Sequence, residues 1–210
     1  MSPERDRRMG IRLVAIGGSA GGVAALGSIL PDLPADFGLP VVVVLHQPPS
    51  RHSLLADLFG RKCRLPVVEA FDKAPVEAGR IYFSPPDYHL MIESDLTFCL
   101  SVDGPVNFSR PSIDVLLESA AASLGEDVLA IILTGTNADG AHGLKAVRAA
   151  GGLGWVQSPE TAHSPAMPRA AIETAGADAI LGLEEIALAL SRLRNAGGTA
   201  ERNGTVDQGR

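Results

Sequence analysis

The sequence predicts an α/β protein: a doubly wound, mostly parallel sheet with an antiparallel hairpin insertion. Three observations predict it. Residues 41–45 (Val-Val-Val-Val-Leu) and 128–133 (Val-Leu-Ala-Ile-Ile-Leu) are unbroken apolar runs, the pattern of strands buried on both faces. Apolar runs alternate with helix-period segments along most of the chain, as expected when crossover helices join parallel strands. Residues 80–84, 89–93 and 96–100 break that alternation as three short strands. Glu93-Ser94-Asp95 joins the last two, so they are expected to pair as a hairpin on or near the main sheet.

Taken in order, residues 1–10 carry five charged side chains and no apolar core. They read as a disordered N-terminus and not as a secretory signal. Leu13 to Ile16 form the first strand, a glycine-rich turn follows, and residues 23–30 begin a helix that ends at Leu30-Pro31. The second strand, 41–45, stops at His46-Gln47-Pro48-Pro49. A short helix over 53–59 and a strand over 65–70 lead to the hairpin region. Pro111 fits the first turn of a helix through Ile113, Leu116, Leu117 and Ala120. After the strand at 128–133, a helix over 141–150 is closed by Gly151-Gly152. A strand at 154–157, a loop to Pro165, a helix at 167–174, a strand at 179–181 and a helix at 184–194 complete one domain over 11–195. Residues 196–210 are Gly-rich and polar and read as a disordered tail.

Composition bounds the function. Hydrophobic residues make up 46% and charged residues 20%, as in a soluble globular protein. A net charge of −6 argues against a nucleic-acid partner. No apolar run approaches the ~18 residues of a membrane span, so the chain is not expected to be membrane-embedded. Cys63 and Cys99 are isolated and match no metal or redox spacing. They read as reduced core thiols of a cytosolic protein, and no metal site is expected.

The chemistry concentrates at Gly17-Gly18-Ser19-Ala20-Gly21. Between a strand and a helix, G-x-S-x-G is a nucleophile elbow, although a Gly-rich turn that cradles a phosphate has the same look. The dinucleotide fingerprint fails, because Ser19 occupies the place of its second glycine, and no Gly-Lys-Ser/Thr follows for a Walker loop. His46 follows the second strand, and Asp139 lies in the loop after the strand ending at Leu133. In a parallel sheet these loops share the carboxyl edge, so Ser19, His46 and Asp139 can supply nucleophile, base and orienting carboxylate. Asp139→Asn keeps the side-chain shape and is expected to lower turnover without unfolding the chain. His52 reads as a helix-start residue, His89 as part of the hairpin, and His142 as first-turn helix. His163 is the rival base, since Ser19–Asp139–His163 matches the α/β-hydrolase order. Against it, α/β-hydrolases place the elbow well inside the sheet, whereas here it follows the first strand.

Several separate motifs stand in one order: Ile16-Gly-Gly-Ser-Ala-Gly-Gly22, Val44-Leu-His-Gln-Pro48, Val68-Glu-Ala70, Ser84-Pro-Pro-Asp-Tyr-His-Leu90, Arg110-Pro-Ser-Ile-Asp114, Leu133-Thr-Gly-Thr-Asn-Ala-Asp-Gly140 and Ala166-Met-Pro-Arg-Ala-Ala171. Over residues 11–193 the chain thereby resembles the catalytic domain of the chemotaxis protein-glutamate methylesterases, the CheB type. The resemblance implies a cytoplasmic serine esterase that hydrolyses glutamate methyl esters on methyl-accepting chemoreceptors, with glutamine deamidation as an accompanying activity. It places the triad on Ser19, His46 and Asp139 and implies no metal or organic cofactor. The backbone N–H groups of Ala20 and Thr136 are the expected oxyanion donors. Ala20 stands where the family usually has threonine, and Thr136 where it usually has methionine. Only about ten residues precede the first strand, so a receiver domain and phosphorylation control in cis are not expected. Two other functions remain open: a degenerate module that binds receptors or a methyltransferase, and a serine esterase for another ester.

Overall fold

A computed structural model describes residues 10–47 and 54–193. In chain order its elements are β1 (Leu13–Gly18), α1 (Gly22–Gly27), β2 (Val41–Leu45), α2 (Leu55–Gly60), β3 (Val67–Glu69), β4 (Ile81–Phe83), β5 (His89–Ile92), β6 (Phe98–Ser101), α3 (Ile113–Leu124), β7 (Val128–Ile132), α4 (Ala141–Ala149), β8 (Leu153–Gln157), α5 (Ala166–Ala175), β9 (Ala179–Leu181) and α6 (Leu183–Ser191). The segments expected to be disordered, apart from Gly10 at the edge of the first, lie outside the described residues, as does His52.

Seven strands pair in the order β3-β4-β2-β1-β7-β8-β9, every pair parallel. The continuous apolar runs form the middle of this sheet, where every strand residue is buried. Alternation along each strand divides the core in two. Val14, Ile16, Val41, Val43, Ile131 and Leu133 belong to one cluster, with Leu26 of α1, Phe59 of α2 and Ile186 of α6. Leu13, Ala15, Val42, Val44, Ala130 and Ile132 belong to the other, with Leu116 of α3, Leu144 of α4 and Ala171 of α5. Helices therefore cover both faces, as the sequence predicts.

The hairpin expected over residues 89–100 forms, but as a separate two-stranded sheet, β5-β6. It packs on α3 through Leu90, Ile92 and Phe98, which share the second cluster. Pro111 does not enter the first turn of α3. Ser112 is still extended (φ −107°, ψ 140°), and its N–H donates to His89 Nδ1 at 3.2 Å. The helix begins one residue later. His89 is buried, and its Nε2 donates to the Gly104 carbonyl at 3.1 Å, so it is a structural histidine that fixes the approach to α3. Cys63 packs at the edge of the first cluster and Cys99 sits half-buried on the hairpin. Burial pushes both thiols up. Among the described residues no helix is long and apolar enough to cross a membrane.

Helices α3 and α4 cross closely at Gly143, whose missing side chain is a packing requirement. A Cβ there would lie 2.6 Å from Leu117 Cβ and 3.0 Å from both the Cα and the carbonyl oxygen of Asp114. Helix propensity favours alanine over glycine by about 1 kcal/mol, whereas forcing a methyl into a packed core costs roughly 1–3 kcal/mol. The second effect wins because two of the three obstacles are backbone atoms. Gly143→Ala is therefore expected to lower the urea unfolding midpoint, and an unchanged or higher midpoint would contradict this contact.

Candidate active site

The register of the central strands sets the site. β1 pairs with β2 as far as Gly18↔Leu45, so Ser19 and His46 are the next residue on each of two adjacent strands. The ladder continues into the loops: the His46 N–H donates to the Gly18 carbonyl at 3.1 Å and the Ser19 N–H to the Thr134 carbonyl at 2.9 Å. Thr134 follows β7, the other neighbour of β1, and the same loop carries Asp139. Here the order of connection reverses across the sheet, the place where open α/β sheets form ligand crevices. The Thr134 hydroxyl donates to the Ala20 carbonyl at 2.8 Å and tethers the turn from the far side. Gly21 closes the turn at φ 82°, a left-handed conformation that a side chain resists. A Cβ there would also lie 2.6 Å from His163 Cβ.

Asp139 is the most heavily partnered side chain of the site. Its Oδ1 accepts from Asn107 Nδ2 at 3.0 Å, the Ser112 hydroxyl at 2.7 Å and the Asp114 N–H at 3.2 Å. Its Oδ2 accepts from the Ile113 N–H at 2.7 Å and His46 Nε2 at 2.8 Å. The carboxylate thus caps α3 from a distant loop, receiving the N–H groups that a helix start leaves free. Complete burial pushes its pKa up, but hydrogen bonds from His46, Asn107, Ile113 and Ser112 outweigh that and hold it below the usual carboxylate value. An ionised Asp139 only accepts, so His46 Nε2 must carry a proton and Nδ1 is left as the basic nitrogen.

The carboxylate next door behaves differently. Asp114 Oδ1 accepts the Gly143 N–H at 2.7 Å, and its Oδ2 accepts from the same Asn107 amide at 2.8 Å. Burial, and secondarily the charge of Asp139, raises its pKa. Asn107, Ser112, Ile113 and Asp114 carry no catalytic signal in the sequence, although the last three lie within the Arg110-Pro-Ser-Ile-Asp114 motif. The one local signal is Ser112 before a helix. Yet Ser112 makes no cap of its own, because its hydroxyl serves Asp139.

Ser19 and His46 line one groove of about 750 Å³, with Leu45, Val23, Ala24 and Leu55 as apolar walls. No hydrogen bond joins the Ser19 hydroxyl to His46 among the described residues. The Ser109 hydroxyl lies 3.4 Å from His46 Nδ1, at the long limit of hydrogen bonding. The N–H groups of Ala20 and Thr136 have no hydrogen-bond partner among the described residues, and Thr136 is exposed. Since α1 is only six residues long, stabilisation of an anion at Ser19 depends on such individual N–H groups more than on a helix dipole. His163 packs over Gly21 but is exposed and meets no carboxylate among the described residues, and His142 is exposed on α4. Among the described residues, no group of three or more His, Cys, Asp or Glu side chains is placed to hold a metal.

Known proteins resemble this chain in sequence, and one solved structure in fold. A Leptospira interrogans protein is 44% identical over 185 residues, 88% of this chain and 96% of its own length. A protein-glutamate methylesterase/protein-glutamine glutaminase of Archaeoglobus fulgidus is 39% identical over 83% of this chain, which spans only 51% of that relative. The crystal structure of the Thermotoga maritima CheB methylesterase catalytic domain superposes with a TM-score of 0.83 at 35% identity, covering 86% of this chain and 97% of that one. The CheB methylesterase family model matches residues 14–190, the span from β1 to α6 that carries every site residue above, and the chain belongs to that family.

Proposed function

We propose that this protein is a cytoplasmic esterase that hydrolyses glutamate methyl esters on chemoreceptors, with Ser19 as nucleophile, His46 as general base and Asp139 as its orienting carboxylate. One observation carries the proposal: the buried, five-donor Asp139 holds His46 beside Ser19 in a shared groove. That geometry serves an acyl transfer. His46 Nδ1 takes the Ser19 proton as the hydroxyl oxygen attacks the ester carbonyl. The Ala20 and Thr136 N–H groups receive the oxyanion, a task for backbone donors that the replaced side chains do not remove. Collapse of the intermediate expels methanol, which takes the proton from His46. Water then attacks the acyl-serine by the same steps and releases glutamate. A glutamine amide reacts through the same acyl-enzyme with ammonia as leaving group. The Ser19–His46 bond forms as substrate enters, since catalytic hydrogen bonds are commonly loose in the empty site.

A fluorophosphonate probe is expected to label Ser19 and to spare Ser19→Ala. Labelling at Ser109, the other hydroxyl near His46, would reassign the nucleophile. His46→Ala should reduce methanol release from methylated receptor membranes by a factor on the order of 10³ or more. His163→Ala should retain most of it. The reverse pattern in folded variants would restore the α/β-hydrolase order.

The structure changes the expectation for Asp139→Asn. Every acceptor position of Asp139 faces a donor, so an amide sets N–H against N–H at one oxygen. That costs about 1–3 kcal/mol of stability, in addition to lost turnover. The sign with pH follows from the lowered pKa of folded Asp139. Its contribution is present above the ordinary carboxylate value of about 3.9 and is lost as pH falls through the lower folded value. Asp114, raised instead, has the opposite sign and weakens the fold as pH rises through its folded value. Urea midpoints should therefore show Asp139→Asn less stable than wild type at neutral pH, with the gap narrowing in acid. A gap that widens in acid would contradict the ionised, capped carboxylate.

A further inference from the structure

The loop between β6 and α3 holds an aromatic residue that folding alone does not explain. Val106 and Ser109 pair backbone to backbone, with N–H···O distances of 3.1 and 2.9 Å, around a two-residue turn. Both central residues have positive φ, 50° at Asn107 and 60° at Phe108, as in a type I′ turn. Asparagine tolerates that region, but phenylalanine does not, because its Cβ crowds the backbone. Phe108 is also fully exposed, at 105% of the reference area. Leu96 has a similar φ of 62°, yet its side chain packs on the second core cluster. Phe108 has no such compensation, so glycine at this position would remove both the strain and the exposed ring.

The turn is nevertheless held firmly. The Asn107 amide donates to Asp139 and Asp114, and the Ser109 hydroxyl lies 3.4 Å from His46 Nδ1. The Arg110 guanidinium donates to the Val102 and Asp103 carbonyls at 2.7 and 3.0 Å and to the Asp87 carboxylate at 2.7 Å. Phe108 therefore sits between a residue that touches Asp139 and one that touches His46, with its ring in solvent. Strained residues held by their surroundings cluster at functional sites.

We propose that Phe108 is a specificity-determining side chain, and that its ring docks an apolar flank of the polypeptide segment carrying the ester. The inference rests on the esterase function proposed above. The occupant is the protein substrate because both sequence neighbours of Phe108 reach the proposed catalytic pair, Asn107 at Asp139 and Ser109 at His46. A polypeptide that presents a side-chain ester to Ser19 must approach His46, which the neighbouring Ser109 flanks, so the ring beside it is placed to meet that polypeptide.

The test uses the full chain and two substrates: receptor membranes premethylated with labelled methyl groups, and p-nitrophenyl acetate. In Phe108→Ala and Phe108→Gly, kcat/KM on the membranes should fall roughly tenfold, chiefly through KM, the worth of burying part of an aromatic ring. The ratio of receptor to small-ester kcat/KM should fall by a similar factor, and Phe108→Tyr should restore most of it. Phe108→Gly should unfold at or above the wild-type midpoint, since it relieves the strained φ. Leu188→Ala, at an exposed apolar position on α6, should change neither substrate. Receptor kcat/KM within about twofold of wild type in both variants, or a parallel loss on both substrates, would overturn the inference. So would a self-association of wild type that Phe108→Ala abolishes, which would assign the ring to contact between copies. Absence of methanol release by wild type itself would instead remove the methylesterase function and this inference with it.

Discussion

A buried carboxylate stays ionised only when donors replace the water it has lost, and Asp139 obtains them from the first turn of α3, from Ser112 and Asn107 just before it, and from His46. Without those donors, burial would raise its pKa and weaken its hold on His46. With them, the carboxylate is an acceptor at both oxygens, and the imidazole is one of five donors fixed around it. Orientation of His46 is therefore inseparable from the packing of α3 on the sheet.

The arrangement is reciprocal. Asp139, just before α4, binds the N–H groups that open α3, while Asp114 in the first turn of α3 binds the Gly143 N–H of α4. The Asn107 amide lies between the two carboxylates and donates to both. One is lowered and the other raised, a common outcome when two acids share a buried site. The close crossing at Gly143 keeps the two helix starts near enough for this exchange. Bonds that stabilise the fold are thus the same bonds that position the base. Ser19, by contrast, belongs to the β1 turn and reaches the pair through strand register.

Much of this is legible in the sequence because its signals are local. Residues 41–45 and 128–133 read as strands buried on both faces, and β2 and β7, which they form, both lie beside β1 in the sheet. A Gly-rich turn after Leu13 to Ile16 marks Ser19, and the strand ends bring His46 to the same groove. The shell around Asp139 is another matter. Asn107 and Asp114 lie 32 and 25 residues from it in sequence. Their hydrogen bonds depend on tertiary packing and leave no periodicity or spacing to read. Pro111 is similar: its residue type suits a first helical turn, but Ser112 after it stays extended with its N–H on His89 Nδ1, a long-range contact. Phe108 could not be distinguished from an ordinary loop aromatic until its φ and exposure were known.

The central claim is that Asp139 fixes which nitrogen of His46 carries the proton. Long-range ¹H–¹⁵N correlation of the His46 ring at neutral pH measures this directly. For the neutral form of the ring the account predicts a proton at Nε2 and none at Nδ1, with that preference lost in Asp139→Asn. A ring protonated at Nδ1 in the wild-type chain would contradict it.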